Sequence, residues 1–249
     1  MINLTRLRIR INVIRFRVKY FKTCKKIVTE PNHTLPQPAT LRSYGGKSAE
    51  ERQTARKRAL VEAAVQLFGT QGFAAVSIDA ICAEAGLTKR YFYQTFPSRE
   101  ALLTAAYESA TRDYMQSILA AVSPHLMDAR KLVRAGLEES FGFVQRNPVK
   151  ARLILIEAMT VRGQLGEMYG ERYDAFVDLM LQFTRPFLSG PKVPDKVLRV
   201  MAQSAVGIII HLCQSWIATD FKQPVKELVD GTERVFGGMG RELGVKGYI

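Results

Sequence analysis

The chemistry this chain offers most openly sits in one short run, Lys89, Arg90, Tyr91, Phe92, Tyr93, Gln94 and Thr95. At 100° per residue on a helix, Arg90 and Gln94 point almost opposite Phe92, and Tyr91 and Tyr93 fall on the flanks. A cationic face rich in hydrogen-bond donors, backed by an aromatic anchor, suits an anion. Arg or Lys against guanine O6 and N7 is the commonest specific pairing in the DNA major groove. Lys89, Arg90 and Tyr91 therefore form the candidate base-facing set, Gln94 is a further DNA-binding candidate on the face of Arg90, and Ser77, Thr88, Tyr93 and Arg99 are placed to meet phosphates and fix the docking register. The bland alternative is a helical hairpin with a solvated charged face.

Enzyme chemistry has far less to stand on. His33, His125 and His211 are scattered, without a carboxylate or cysteine constellation. His211 and Cys213 lie two residues apart, so on a helix they project about 200° from each other and cannot share a metal. No nucleophile elbow or phosphate-cradling loop is present. The expectation is a non-enzyme with no catalytic residues, no metal and no cofactor. Cys24, Cys82 and Cys213 are odd in number and read as reduced thiols in a cytoplasmic protein.

Short elements must position the run. Ser77 reads as an N-cap, with Val76 and Ile81 at the flanking staple positions. Ile78, Ile81, Cys82 and Ala85 then trace one apolar stripe. Gly86 stands where the chain must take a left-handed conformation. Thr88 caps the second helix, and Leu87 can staple to Phe92. Upstream, a helix over 49–70 places Leu60, Ala64, Leu67 and Phe68 on one stripe and ends at Gly72. Downstream, Pro97 and Ser98 open a helix from Arg99 to about Val122 that links this head to the rest. Prolines cut the remainder into helices near 128–145, 149–162, 167–188, 194–221 and 225–238, with Gly237, Gly238 and Gly240 read as a fraying end.

The resulting expectation is an all-α protein: an N-terminal three-helix helix-turn-helix domain followed by a C-terminal helical ligand-binding and dimerisation domain. Three segments are expected: a basic, poorly ordered extension and linker over 1–48, the DNA-binding domain over 49–97, and an effector-binding and dimerisation domain over 98–249. The net charge of +13 is lodged mainly in the tail, where eleven of the 36 basic residues stand with Glu30 as the single acid before residue 49. The tail can be an arm along the DNA backbone, a disordered extension, or the product of a start placed upstream of a biological beginning near Glu50. Residues 202–218 form the most apolar long run, too short and too polar for a comfortable membrane span, so no membrane partner is expected.

Residues from about Arg52 to Tyr107 resemble the DNA-binding region of the tetracycline-repressor (TetR) family. The resemblance is carried by Ala64, Leu67, Phe68, Gly72 and Phe73, then by Ser77, Ile78, Ile81, Ala85, Gly86, Thr88, Tyr93, Phe96, Ser98, Glu100 and Leu102. Thr95 departs from it, standing where the family carries His or Tyr. The resemblance implies a dimeric repressor on a pseudo-palindromic operator of double-stranded DNA, released by an unidentified small-molecule effector. It also implies pairing of the last two long helices across the dimer, with Val200, Ser204, Ile208, Leu212, Trp216, Leu228, Val235 and Phe236 at the interface or in the core. Candidate effector-lining residues are Tyr114, Phe141, Met159, Met180, Phe183 and Trp216, with Arg162 and His211 for an acidic effector. The alternative is a ligand-independent, nucleoid-type DNA-binding protein, which would have no use for some 150 residues of helical domain.

Overall fold

The computed structural model describes residues 48–165, 167–189 and 193–248. The expectations for the basic tail before Ser48 lie outside these residues. Among the described residues the secondary structure is helical, without a named strand. Ser48 opens α1 (Ala49–Gln71) with a capping box in which its hydroxyl accepts from the Glu51 amide and its own amide donates to the Glu51 carboxylate. Then come α2 (Ile78–Glu84), α3 (Lys89–Thr95) and α4 (Arg99–Val122). Ser77 and Ser98 cap α2 and α4 through their hydroxyls. The remaining helices are α5 (Ala129–Arg146), α6 (Pro148–Arg152), α7 (Ala158–Thr160), α8 (Arg162–Leu165), α9 (Glu167–Thr184), α10 (Asp195–Ala218) and α11 (Val225–Glu242).

One expected helix is remade. Over 149–162 the pattern predicts a continuous α-helix, but Leu153–Glu157 winds as a π-helical turn and the helix breaks at Val161. A π-turn loosens the backbone ladder, and side chains elsewhere take up the released groups. Here Gln214 Nε2, on α10, donates to the Leu155 carbonyl at 2.8 Å.

The first core joins Leu60, Ala64 and Phe68 of α1 to Ile81, Phe92 and Phe96, to Leu102, Leu103 and Ala106 of α4, and to Leu153 and Leu165. The N-terminal head therefore shares its interior with α4 and the π-turn. Gly69 permits this approach: a Cβ there would stand 2.3 Å from the Val149 carbonyl oxygen. Two further cores flank α10, one with α9 and the C-terminal segment, the other with α5 and α11. By length and apolarity α10 resembles a membrane span; in the fold it is the shared wall of those two cores.

The C-terminal glycines do not fray. α11 continues to Glu242, and Gly237 and Gly240 are buried under the Tyr248 ring, which a Cβ at either would approach to 3.1 Å. The last residues turn back, with Lys246 N–H donating to the Phe187 carbonyl and Ser189 N–H to that of Gly244.

Candidate nucleic-acid interface

The turn between α2 and α3 closes as a Schellman motif. Leu87 N–H donates to the Cys82 carbonyl and Gly86 N–H to that of Ala83, with Gly86 at φ +64°. Glycine alone takes that φ cheaply, which fixes the angle at which α3 leaves. Phe92 is wholly buried and stacks at a tilt on Phe96, 6.3 Å between ring centroids. The opposite face of α3 is thereby pushed outward.

The proposed contact residues divide into two groups on that surface. Arg90 and Gln94 are exposed, and neither side chain is bonded by a described residue. Tyr93 is 58% exposed, its ring edge-on to Phe92. Thr88 stands at the N-cap of α3 but makes no side-chain capping bond, so its hydroxyl is available beside the first-turn amides. Ser77 is exposed at the start of α2 with its oxygen already accepting from Ala80 N–H.

The other candidates are engaged within the protein. Lys89 Nζ pairs with Asp79 Oδ1 at 2.8 Å, and this carboxylate holds the ammonium above the usual lysine range. Both partners are exposed, so the pair is weak and open to exchange for a phosphate. The Tyr91 ring is covered by the Arg56 guanidinium at 4.0 Å. Arg99 donates to the Val76 carbonyl at 2.6 Å and lies over the Phe73 ring at 4.2 Å. It acts as a clasp between α4 and the loop before α2. Thr95 turns its hydroxyl back to the Tyr91 carbonyl at 2.8 Å.

Residues 60–106 match the sequence model described as "Bacterial regulatory proteins, tetR family". The regulator EthR of Mycolicibacterium smegmatis is 30% identical over 108 residues, 43% of this chain and half of that protein's length. The regulator YdgC of Bacillus subtilis is 26% identical over 190 residues, 74% of this chain and 92% of the relative. A TetR-like transcriptional regulator from Rhodococcus sp. RHA1 shares the fold with a TM-score of 0.59 at 22% identity, over 74% of this chain and 96% of its own.

Residues 60–106 carry a helix-turn-helix region of the TetR type. The relatives matched are transcriptional regulators of the helix-turn-helix type rather than enzymes, which supports a DNA-binding regulator here.

Beyond the head, the described residues line two cavities. The larger, about 170 Å³, is lined by α4, α5, α9, α10, α11 and the C-terminal segment. The smaller, about 80 Å³, lies directly against α4 and the π-turn. Of the sequence-derived effector candidates, Tyr114 lines the smaller cavity and Met180 and Phe183 the larger. Phe141 and Trp216 instead pack edge to face in the core, the indole N–H donating to the Gln223 carbonyl. Met159 is 45% exposed, with the Tyr169 hydroxyl on its sulfur, and His211 is exposed on α10. Arg162 belongs to α8, and its side chain lies outside the described part of the structure. Sequence reasoning missed Arg172, Thr111 and Tyr107, which line the smaller cavity from two helices. Burial pushes the Tyr107 phenol up to about 12 and raises that of Tyr114 as well.

Proposed function

We propose that the chain acts as a homodimer on a pseudo-palindromic operator, represses by occlusion, and is released by a small molecule held in its helical domain. The observation that carries the reading is the outer face of α3, where Arg90, Gln94 and Tyr93 stand exposed above a buried Phe92. A two-fold dimer would set two such helices about 34–36 Å apart, one turn of DNA.

Dimerisation is supported by apolar side chains on neighbouring helices. Val197 and Val200 on α10 are 48% and 58% exposed, and Val235 on α11 is 50% exposed. Ser204, Ile208 and His211 continue the α10 stripe at helical spacing. Trp216 and Leu228, by contrast, are buried within one subunit. Effector release is supported by the cavities: four residues of α4, the helix that carries the head, line the smaller one. A ligand there can release DNA only through different affinities for the DNA-fitting and misfitting forms. Boundaries at residues 49–97 and 98–249 suit this division of labour, although the two parts share a core.

The test is selection of duplexes from a random pool by the purified protein, followed by light scattering of the complex. The expected result is an inverted-repeat footprint occupied by a dimer or a pair of dimers. Uniform coverage without sequence preference would favour the nucleoid-type alternative.

A further inference from the structure

The smaller cavity contains polar atoms that the fold leaves unsatisfied. Arg172, on α9, gives Nη2 to Glu108 of α4 at 2.9 Å. Its Nε–H is buried without an acceptor. Thr111, one turn along α4 from Glu108, has its Oγ1 buried without a well-formed hydrogen bond, although the Tyr107 phenol lies close by. Native interiors leave few such groups unpaired, and each calls for an explanation. Here both belong to residues lining one cavity, and both can donate.

The larger cavity has the opposite character. Phe176 and Ile209 line both, so the two lie back to back across those side chains. The hydroxyls in the larger wall are largely spent, Ser140 on the Gly136 carbonyl and Thr184 on that of Met180. The rest of that lining is almost wholly apolar, apart from the buried Tyr248 hydroxyl. Polar donors thus line one cavity, while the other, across Phe176 and Ile209, offers mainly hydrocarbon contact and the single hydroxyl of Tyr248.

We infer that the two cavities take one amphiphile with a neutral carbonyl head. Its carbonyl oxygen accepts from Arg172 Nε–H and the Thr111 hydroxyl. Its alkyl tail passes Phe176 and Ile209 into the larger space. The choice of a neutral head follows from charge. Glu108 already balances Arg172, so a carboxylate would carry an uncompensated negative charge into a partly buried site. An ammonium head would face donors. An ester, thioester or amide of a straight-chain acid satisfies the donors and adds no charge.

This inference rests on the effector reading above, and the experiment separates the two. Titration calorimetry on the full chain without DNA would compare methyl decanoate, sodium decanoate and methyl acetate, and operator binding would be measured with and without each probe. Methyl decanoate should bind at least about tenfold more tightly than either other probe. Thr111→Val, close in shape and safe for the fold, should weaken methyl decanoate and leave thermal stability nearly unchanged. Glu108→Gln removes the balancing charge and should shift preference towards decanoate. Equal or tighter binding of decanoate by the native chain, or an unaltered affinity in Thr111→Val, would overturn the inference. If methyl decanoate binds in this Thr111-dependent way and the operator complex does not respond, the ligand chemistry stands and effector release falls. If another class of compound releases the operator and methyl decanoate does not bind, the reverse holds.

Discussion

Glu157 Oε2 accepts a hydrogen bond from the backbone N–H of Phe73, 3.1 Å away and 84 residues earlier in the chain. Phe73 begins the short turn between α1 and α2, so this carboxylate ties the head to the helices that follow α4. Two residues before Glu157, the Leu155 carbonyl is held by Gln214 of α10. A continuous chain of bonds thus runs from α10, whose exposed face is proposed to meet the second subunit, through the π-turn to the head.

Glu157→Ala removes the carboxylate from a partly buried amide. The expected loss is about 1.5–3 kcal/mol in urea unfolding, as for other hydrogen bonds to charged groups. Hydrogen exchange should show the Phe73 amide losing protection, with Glu157→Gln intermediate. Native-like protection of that amide in Glu157→Ala would show that the bond is not a support.

Gly69→Ala tests the contact between α1 and α6. A methyl group there would meet the Val149 carbonyl oxygen at 2.3 Å, a backbone atom that no side-chain rotation can move. Overpacking of this kind costs about 1–3 kcal/mol, despite the helix propensity gained. Differential scanning calorimetry should record a lower midpoint, and a stabilised variant would contradict the packing described.

Val200→Asp places a charge in the middle of the exposed α10 stripe. Sedimentation should show a shift from dimer to monomer with far-ultraviolet circular dichroism preserved, because Val200 touches little within its own subunit. An unchanged dimer would move the interface elsewhere.

Alkaline pH should weaken the fold in a defined direction. Burial raises the Cys213 thiol from 9.0 to about 12 and the Tyr107 and Tyr248 phenols from 10.0 to about 12. Above their ordinary values the unfolded chain sheds these protons while the folded chain keeps them. The stabilisation is therefore fully present below about pH 9 and declines as pH climbs towards 12. The urea midpoint of the native chain should fall across that window, and Cys213→Ala should fall less steeply. Parallel curves would remove Cys213 from the explanation.

What was legible in the sequence was local. Ser77 and Ser98 cap helices because each lies three residues before an amide it can reach, and Gly86 marks its turn by backbone freedom alone; the Ser48 capping box came only with the structure. The inward set of the head, Leu60, Phe68, Ile81 and Phe92, follows from periodicity. Long side chains that cross between elements were not legible. The Arg99 clasp on Val76, the Arg56 cover over Tyr91 and the Lys89–Asp79 pair all depend on the angle between helices, which spacing does not encode. The π-turn was equally hidden, since LILIE has the periodicity of any buried helix and the Gln214 amide that takes up its Leu155 carbonyl comes from a distant helix. Gly237 and Gly240 suggested a loose end because the ring they accommodate, Tyr248, arrives from a turn further on. The polar atoms of the smaller cavity come from α4 and α9, and no pattern along either helix marks them as neighbours.

If the outer face of α3 reads bases, Arg90 is the side chain whose loss must show it. Binding of Arg90→Ala to the selected operator should be measured in competition with an unrelated duplex at fixed salt. The expected outcome is a loss of about 1–3 kcal/mol on the operator alone, with nonspecific binding and dimer mass nearly unchanged. An equal loss on both duplexes, or none on either, would contradict the claim.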